Sequence, residues 1–278
     1  MRNLKIILAY DGSDFHGWQF QAATRTVQET VEKSLKDILG HEVRVTASGR
    51  TDAGVHALGQ VINFQTCSKI PAQGLLRALN SVFPPDLSAR DVRDVSQDFH
   101  ARYLALSKKY VYVVDTSAIP SPFLSRYVMH LPGELDIRAM RHAAHALKGQ
   151  HDFSSFMGAG SSVKTTIREI YDFEIFGKGS RVFFCIRGSG FLRHMVRNIV
   201  GTLIPAGQGA MTPRDVKRIL ELRDRTQAGP TAPPQGLYLV EVEYGEGGAH
   251  RKNDTVSHDR HDVQPGAAGR TRDDSRRV

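Results

Sequence analysis

Cysteine is scarce in this sequence of 278 residues, and long apolar runs are missing. The two cysteines, Cys67 and Cys185, lie far apart and outside any C-x-x-C pair, so neither a disulfide framework nor a zinc ribbon fits. The longest apolar run is far shorter than the roughly 18–20 residues that a transmembrane helix needs. No apolar segment near Met1 resembles a signal peptide. These absences predict a protein of the reducing cytoplasm without a membrane span.

Motifs for cofactors and for common nucleophiles are missing as well. The chain contains neither the G-x-x-x-x-G-K-[ST] of phosphate-binding loops nor a G-x-G-x-x-G after a strand, and it contains no G-x-S-x-G. His142 and His145 lie three residues apart on a predicted helix, but no third ligand stands near them. We therefore expect no cofactor and no metal site.

Positive charge is in excess. The chain holds 37 Lys and Arg against 29 Asp and Glu, for a formal net charge of +8 and a pI of about 9.6. Residues 246–278 carry seven of the basic and six of the acidic side chains, so +7 falls on residues 1–245. This surplus suggests a polyanionic partner. Residues 246–278 also have almost no large apolar side chains, which predicts a disordered tail.

Apolar periodicity and turn signals predict an α+β fold. The first half contains predicted strands at 3–10, 43–48, 59–66 and 87–96. Two helices divide them into the order β-α-β-β-α-β, which is the ferredoxin-like (RRM-like) pattern. The second half runs similarly, with predicted strands at 107–116, 166–176, 181–188 and 237–244. We therefore predict two related units with mainly antiparallel sheets, an N-terminal domain at 1–103 and a C-terminal domain at 104–245.

A helix is predicted from Phe191 to about Ile204, because apolar side chains recur there at helical spacing. Arg193, His194 and Arg197 fall on the other side of this helix. On the residues alone, these charges form an ordinary solvated face.

The segment 48–57, SGRTDAGVHA, stands out as a tight loop between two predicted strands. It places Arg50 and Asp52 two residues apart. In an extended loop residues i and i+2 point the same way, so Arg50 would hold the Asp52 carboxylate in its ionised form. An ionised, desolvated carboxylate is a competent nucleophile. An ordinary turn between strands explains the local sequence equally well.

Six blocks carry a resemblance to a known family. The first two are Y-D-G-S-D-F-H-G-W-Q at 10–19 and G-R-T-D-A-G-V-H-A at 49–57. The others are F-H-A-R at 99–102, K-K-Y-V-Y at 108–112, G-F-L-R-H-M-V-R-N-I-V-G at 190–201 and G-L-Y-L-V-E-V-E-Y at 236–244. In this order they resemble the TruA family of tRNA pseudouridine synthases, and they span all of the chain except the tail.

The resemblance implies the isomerisation of uridine to pseudouridine at tRNA positions 38, 39 and 40, without a cofactor, in a cleft between the two units. It makes Asp52 the essential carboxylate, which attacks either C6 of the uracil or C1′ of the ribose. Tyr110 matches the family's active-site tyrosine, and Leu237 matches the apolar residue under the target base. The resemblance also places Arg197 beside Asp52. Arg50 would be the second cationic neighbour and would fill the space left by the extruded base.

The other residues expected to contact the RNA substrate are basic or aromatic. The residues expected to bind RNA are Phe99, His100, Arg102, Tyr103, Lys108, Lys109, Lys164 and Arg168. The expected partners are the anticodon arm of tRNA and, from the family, a second copy of the chain in a homodimer. A non-catalytic RNA-binding module is the first alternative, but the K/R-G-F/Y-G/A-F-V string of such modules is missing. The second alternative is a structural oligomer, which leaves the excess positive charge of residues 1–245 and the Asp52 loop unexplained.

Overall fold

The computed structural model describes residues 1–160 and 163–245. The predicted disordered tail at 246–278 lies outside the described residues. Within the described ranges, no helix is long and apolar enough to cross a membrane. The same ranges hold no group of three or more His, Cys, Asp or Glu side chains placed to bind a metal ion.

The first half of the chain follows the predicted order of elements. These are β1 (Arg2–Tyr10), α1 (Val27–Leu39), β2 (Thr46–Ala47), β3 (His56–Thr66), α2 (Ala72–Val82) and β4 (Leu87–Val95). Helix α1 begins after Thr26, whose side chain accepts a hydrogen bond from the Glu29 N–H. It ends at Gly40, which has a left-handed conformation (φ 74°) that glycine adopts without steric cost.

The second half contains more elements than the first. These are β5 (Ala105–Asp115), β6 (Met129–His130), α3 (Ile137–His145), β7 (Gly149–Asp152), β8 (Ile167–Lys178), β9 (Arg181–Gly188), α4 (Met195–Gly207), α5 (Pro213–Leu222) and β10 (Leu237–Tyr244). Asp136 caps α3 by accepting the Ala139 N–H at 2.9 Å. Helix α5 begins with a reciprocal capping box between Thr212 and Asp215.

One sheet runs through both halves, in the order β4-β1-β3-β10-β5-β9-β8-β7, with β2 beside β3 and β6 beside β5. The first half contributes β4-β1-β3-β2 and the second contributes β10-β5-β9-β8, so both repeat one ferredoxin-like strand order. Pairing within each set is antiparallel, whereas β3 and β10 run parallel where the halves meet. The predicted α+β fold of two ferredoxin-like units is therefore confirmed. The domain boundary near residue 103 stays a prediction.

Two strand predictions differ from the structure. The strand predicted at 43–48 is present only as Thr46–Ala47. The Val45 N–H donates to the Glu32 side chain at 3.1 Å, so its backbone is satisfied without a neighbouring strand. The short strand β7 was not predicted, because its sequence G-Q-H-D has no apolar alternation.

The start of α4 also differs, and this matters for the site. The helix begins at Met195 and not at Phe191, because His194 has φ 59° and ψ 2°, which no helix can contain. Arg193 and His194 therefore precede the helix, and only Arg197 lies on it. The prediction that all three share one helical face is wrong.

Candidate active site

Asp52 lies on the loop that joins β2 to β3. Gln60 of β3 holds the start of this loop, because its side chain accepts from the Ser48 hydroxyl (2.7 Å) and donates to the Gly49 carbonyl (2.8 Å). From β5, the Lys108 ammonium donates to the Ser48 carbonyl at 2.6 Å. Ser48 and Gln60 are fully buried. The loop is thus tied to strands from both halves of the chain.

Thr51, the residue before Asp52, is held from the other side. Its hydroxyl is 2.8 Å from the Tyr10 hydroxyl, and its carbonyl accepts the Trp18 N–H at 3.0 Å. Burial raises the pKa of Tyr10 to about 12, so this phenol is neutral. Gly17 (φ 86°) allows its backbone to lie close to that of Thr51, because a Cβ at this position would be only 2.9 Å from the Thr51 carbonyl oxygen.

The Asp52 carboxylate faces two residues from the second half of the chain. Arg197 on α4 donates from Nη1 to Oδ2 of Asp52 at 3.1 Å and from Nε to the Ala232 carbonyl at 2.7 Å. His194 places Nε2 3.5 Å from the same Oδ2. The Asp52 side chain is 29% exposed, so the carboxylate is paired and still reachable from solvent. A partly exposed carboxylate held by a charged donor is arranged for nucleophilic chemistry.

The predicted contact between Arg50 and Asp52 is wrong. Arg50 is exposed and forms no hydrogen bond or ion pair with any residue that the structure describes. The prediction assumed that Arg50 and Asp52 point the same way, but the Asp52 carboxylate faces Arg197 and His194. A turn follows directly, in which the Val55 N–H donates to the Asp52 carbonyl at 3.1 Å and Gly54 has φ 76°. His194 takes the place beside Asp52 that was expected for Arg50. The substrate-binding role of Arg50 stays a prediction.

Tyr110 and Leu237 lie on the neighbouring strands β5 and β10, and both are buried. Leu237 pairs with Tyr112 in the strand register. The ring of Phe191 meets Tyr110 edge to face, with 5.1 Å between ring centroids. Burial, and to a lesser extent the negative charge of Asp52, raises the pKa of Tyr110, so its hydroxyl is neutral. The substrate-binding role of Tyr110 stays a prediction, as does that of Leu237.

The strip that begins at Phe99 contains one wrong prediction. Phe99 is 3% exposed and packs against the ring of Tyr244 with 5.0 Å between centroids, so it is a core residue and not an RNA contact. The next residues are accessible: His100 and Tyr103 stack with centroids 4.2 Å apart, and Tyr103 is 74% exposed. The Arg102 guanidinium lies 5.8 Å from the Tyr103 ring centroid. This strip presents an exposed aromatic and basic surface.

Lys108 contacts the Asp52 loop. Its ammonium donates to the Ser48 carbonyl and so supports the Asp52 loop, while its role in RNA binding stays a prediction. Burial, together with the smaller effects of the positive charges of Arg102 and Arg168, lowers the pKa of Lys108 to about 8.

The remaining basic candidates stay predictions. Lys164 is exposed and Lys109 is half-buried. Arg168 is half-buried, and its Nη1 donates to the carbonyls of Thr165 (3.0 Å) and Ile167 (2.6 Å).

Sequence reasoning missed His194 as a neighbour of Asp52. The residue was assigned to a solvated helical face, since apolar periodicity continues through Phe191 and Leu192. The only signal that included it was its position inside the block at 190–201. Periodicity carries no information about a left-handed residue that interrupts it.

Comparisons with known proteins identify the family of the chain. A family model described as tRNA pseudouridine synthase matches residues 6–104 and 143–245. A protein named tRNA pseudouridine synthase A from Acetivibrio thermocellus is 46% identical over 244 residues, which cover 88% of this chain and all of that protein. Proteins of the same name from Thermoanaerobacter sp. (strain X514) and Moorella thermoacetica are also 46% identical, over 88% and 87% of this chain and 100% and 99% of theirs.

A solved structure entitled "Crystal Structure of a Cbf5-Nop10-Gar1 Complex" aligns with a TM-score of 0.33 and 12% identity, over 72% of this chain and 54% of that chain, which is too weak to carry an argument. The two ferredoxin-like units, together with the family match, define the chain as a pseudouridine synthase, an isomerase that acts on RNA. Within that class, it belongs to the tRNA pseudouridine synthase family.

Proposed function

We propose that this enzyme converts uridine to pseudouridine at positions 38, 39 and 40 in the anticodon arm of tRNA, with Asp52 as the essential carboxylate and without a cofactor. The observation that carries the proposal is the Asp52 carboxylate, which is partly exposed and accepts a hydrogen bond at 3.1 Å from Arg197 in the other half of the chain. The family of the chain supports the reaction, and the position of the carboxylate supports the assignment to Asp52.

The reaction exchanges one bond for another. Asp52 attacks either C6 of the uracil or C1′ of the ribose, and the bond between N1 and C1′ breaks. The base then rotates, and C5 forms a new bond to C1′ while the carboxylate is released. C5 loses its proton and N1 gains one, so no oxidant, reductant or second substrate is needed.

The target base must first leave its stack, which costs a few kcal/mol. Tyr110 and Leu237 are the proposed wall of the base pocket. Stacking of a base on an aromatic face contributes about 1–3 kcal/mol. Arg50 is the proposed group that fills the vacated space in the stem, and its exposure and lack of a described partner leave it free to do so. The Tyr110 hydroxyl, neutral and bonded to no described residue, is the proposed assistant in proton removal from C5.

The tRNA backbone would lie along the exposed basic surface near the loop. The proposed contacts are His100, Arg102, Tyr103, Lys109, Lys164 and Arg168. Phosphate contacts of this kind supply most of the affinity that offsets base extrusion. We also propose, from the family resemblance alone, that the enzyme works in the cytoplasm as a homodimer.

The decisive experiment incubates the pure protein with an unmodified tRNA transcript and maps pseudouridine at every uridine. We expect conversion confined to positions 38–40. Asp52→Asn should abolish conversion and largely preserve the Kd for tRNA, because it removes the charge and keeps the shape. Asp37→Asn, which changes an exposed carboxylate on α1, is the matched control and should convert at the wild-type rate.

Two results would contradict the proposal in different ways. Conversion at other uridines would overturn the positions, and conversion by Asp52→Asn would overturn the role of Asp52. Binding of tRNA without conversion by the wild-type protein would instead favour a non-catalytic RNA-binding module.

A further inference from the structure

His194 has a backbone conformation that needs an explanation. Its φ of 59° and ψ of 2° lie in the left-handed region, which is strained for a residue with a Cβ and unstrained for glycine. Such strain persists where the surrounding structure enforces it, and it concentrates at active sites. A glycine would begin α4 at this point with less strain. The imidazole itself is therefore the feature to explain.

The surroundings confine this imidazole. A Cβ added at Gly158 would lie 2.7 Å from Nδ1 and 2.9 Å from Cγ of His194, so only glycine leaves space for the ring. The Gly158 N–H donates to the Arg193 carbonyl at 2.8 Å, which fixes the two segments against each other. With Nδ1 against Gly158, the opposite ring nitrogen, Nε2, is the one that approaches Asp52.

The two neighbours of Asp52 approach a single oxygen. Nη1 of Arg197 lies 3.1 Å from Oδ2, and Nε2 of His194 lies 3.5 Å from the same atom. Within the described part of the chain, Oδ1 accepts no hydrogen bond. One oxygen of the carboxylate is therefore held, and the other is left for a reacting partner. Contacts of this kind are often long in the free enzyme and shorten when substrate binds.

The charges that face His194 come from several segments. Burial lowers the pKa of the imidazole, and positive charges lower it further, those of Arg197, Arg193 and Arg225. The Asp52 carboxylate opposes this effect. The imidazole is thus neutral near pH 7 and has one N–H to donate. A neutral donor orients the carboxylate without adding a second full positive charge beside the nucleophile.

We propose that His194 is a positioning residue that acts together with Arg197 to hold Oδ2 of Asp52 and to direct Oδ1 at the uridine. This inference rests on the proposed function of Asp52. The held oxygen fixes the orientation of the free one, and small errors in the placement of a reacting group cost large factors in rate.

His194→Gly tests the proposal without straining the backbone. Because glycine favours this conformation, the melting temperature should be retained or raised, and the Kd for tRNA should stay within about twofold of the wild type. The single-turnover rate of conversion should fall roughly 10- to 100-fold. Ala23→Gly is the matched control: it relieves a nearly identical φ of 61° and should leave the rate unchanged.

Gly158→Ala approaches the same ring from the other side. The new Cβ must displace the imidazole, so the rate should fall by a similar factor. The double variant His194→Gly with Gly158→Ala should be no slower than His194→Gly alone, because both changes act through one ring. Gly74→Ala on α2, where a Cβ meets no atom closer than 3.4 Å, is the control for the glycine change.

The results separate this inference from the proposed function. If His194→Gly converts at the wild-type rate while Asp52→Asn is inactive, the positioning role is overturned and the role of Asp52 stands. A loss that lies entirely in the Kd for tRNA, or a double variant much slower than either single one, would also overturn it. If Asp52→Asn is active, the proposed function fails first.

Discussion

Asp52 and Arg197 are separated by 145 positions in the chain, yet Oδ2 of the first lies 3.1 Å from Nη1 of the second. The first residue follows a strand of the N-terminal half, and the second lies on a helix of the C-terminal half. Arg197 is fixed independently of Asp52, because its Nε donates to the Ala232 carbonyl and its own carbonyl accepts the Ala232 N–H at 3.2 Å. The carboxylate therefore meets a donor that is already positioned.

Replacing Arg197 with lysine should show how much its simultaneous hydrogen bonds to Asp52 and to the Ala232 carbonyl contribute to the rate. A lysine keeps the charge but lacks the planar fork that serves the Ala232 carbonyl and Asp52 at once. A hydrogen bond to a charged group contributes about 1.5–3 kcal/mol, so the single-turnover rate should fall roughly 10- to 100-fold. Arg218→Lys on the exposed side of α5 should leave the rate unchanged. An equal rate for Arg197→Lys would contradict the assignment.

Tyr110→Phe should separate stacking from proton transfer. The ring is kept, so the Kd for tRNA should change little. If the hydroxyl assists proton removal from C5, the rate should fall roughly 100-fold or more, within the usual range for acid–base catalysis. The measurement is tritium release from tRNA labelled at C5 of uridine.

Tyr112→Phe, two residues along the same strand, is the control for Tyr110. Its hydroxyl donates to the Pro233 carbonyl at 2.8 Å. Its loss should lower the free energy of unfolding by about 1 kcal/mol and leave the rate nearly unchanged. If both variants lose activity equally, the Tyr110 hydroxyl has no special role.

Lys108 predicts a specific pH dependence of stability. Its pKa is lowered from 10.5 to about 8, first by burial, so the unfolded chain binds more protons than the folded one between these values. The penalty for burying the charge is fully present below pH 8 and is relieved as the pH rises towards 10.5. The free energy of unfolding of the wild type should therefore rise by about 1–2 kcal/mol relative to that of Lys108→Met between roughly pH 7.5 and 9.5.

Urea denaturation of the wild type and Lys108→Met across this pH range measures the difference between their free energies of unfolding. The contributions of the other titrating groups are common to both proteins and cancel in this difference. Lys33→Met, at an exposed position on α1, should follow the wild type. A difference between wild type and Lys108→Met that is constant with pH would contradict the buried, perturbed ammonium.

Arg102→Gln tests the proposed RNA surface. Loss of one phosphate contact should weaken binding of every tRNA by a similar factor and reduce the slope of log Kd against log salt concentration by about 1. The measurement is a binding titration at several salt concentrations. Arg90→Gln, an exposed change on the edge strand β4, should leave the slope unchanged. An unchanged slope for Arg102→Gln would remove this residue from the interface.

Local features of the fold were predictable where the chain itself carries the signal. The Thr212 cap and the Asp215 that returns its hydrogen bond are three residues apart, so sequence alone marks the start of α5. The alternating L-Y-L-V-E-V-E-Y likewise predicts β10. Its parallel pairing with β3 was not predictable, because a strand does not specify its neighbour through its own periodicity.

The candidate site was predictable in the contact of Arg197 with Asp52, but not in that of His194. Asp52, Tyr110 and Arg197 were named through the family resemblance. Phe99 was expected to bind RNA as the first residue of one contact strip, whereas in the structure it is buried and packs against Tyr244.

The sequence by itself determined three features of the protein. These are the loop that contains Asp52, the excess positive charge of residues 1–245 and two units with a ferredoxin-like order of elements. Only the tertiary structure decided that His194, and not Arg50, lies beside Asp52. The reason is physical. The Asp52 carboxylate faces the second half of the chain, and a single left-handed residue before α4 directs an imidazole from that half towards it. Spacing along a chain specifies neither event.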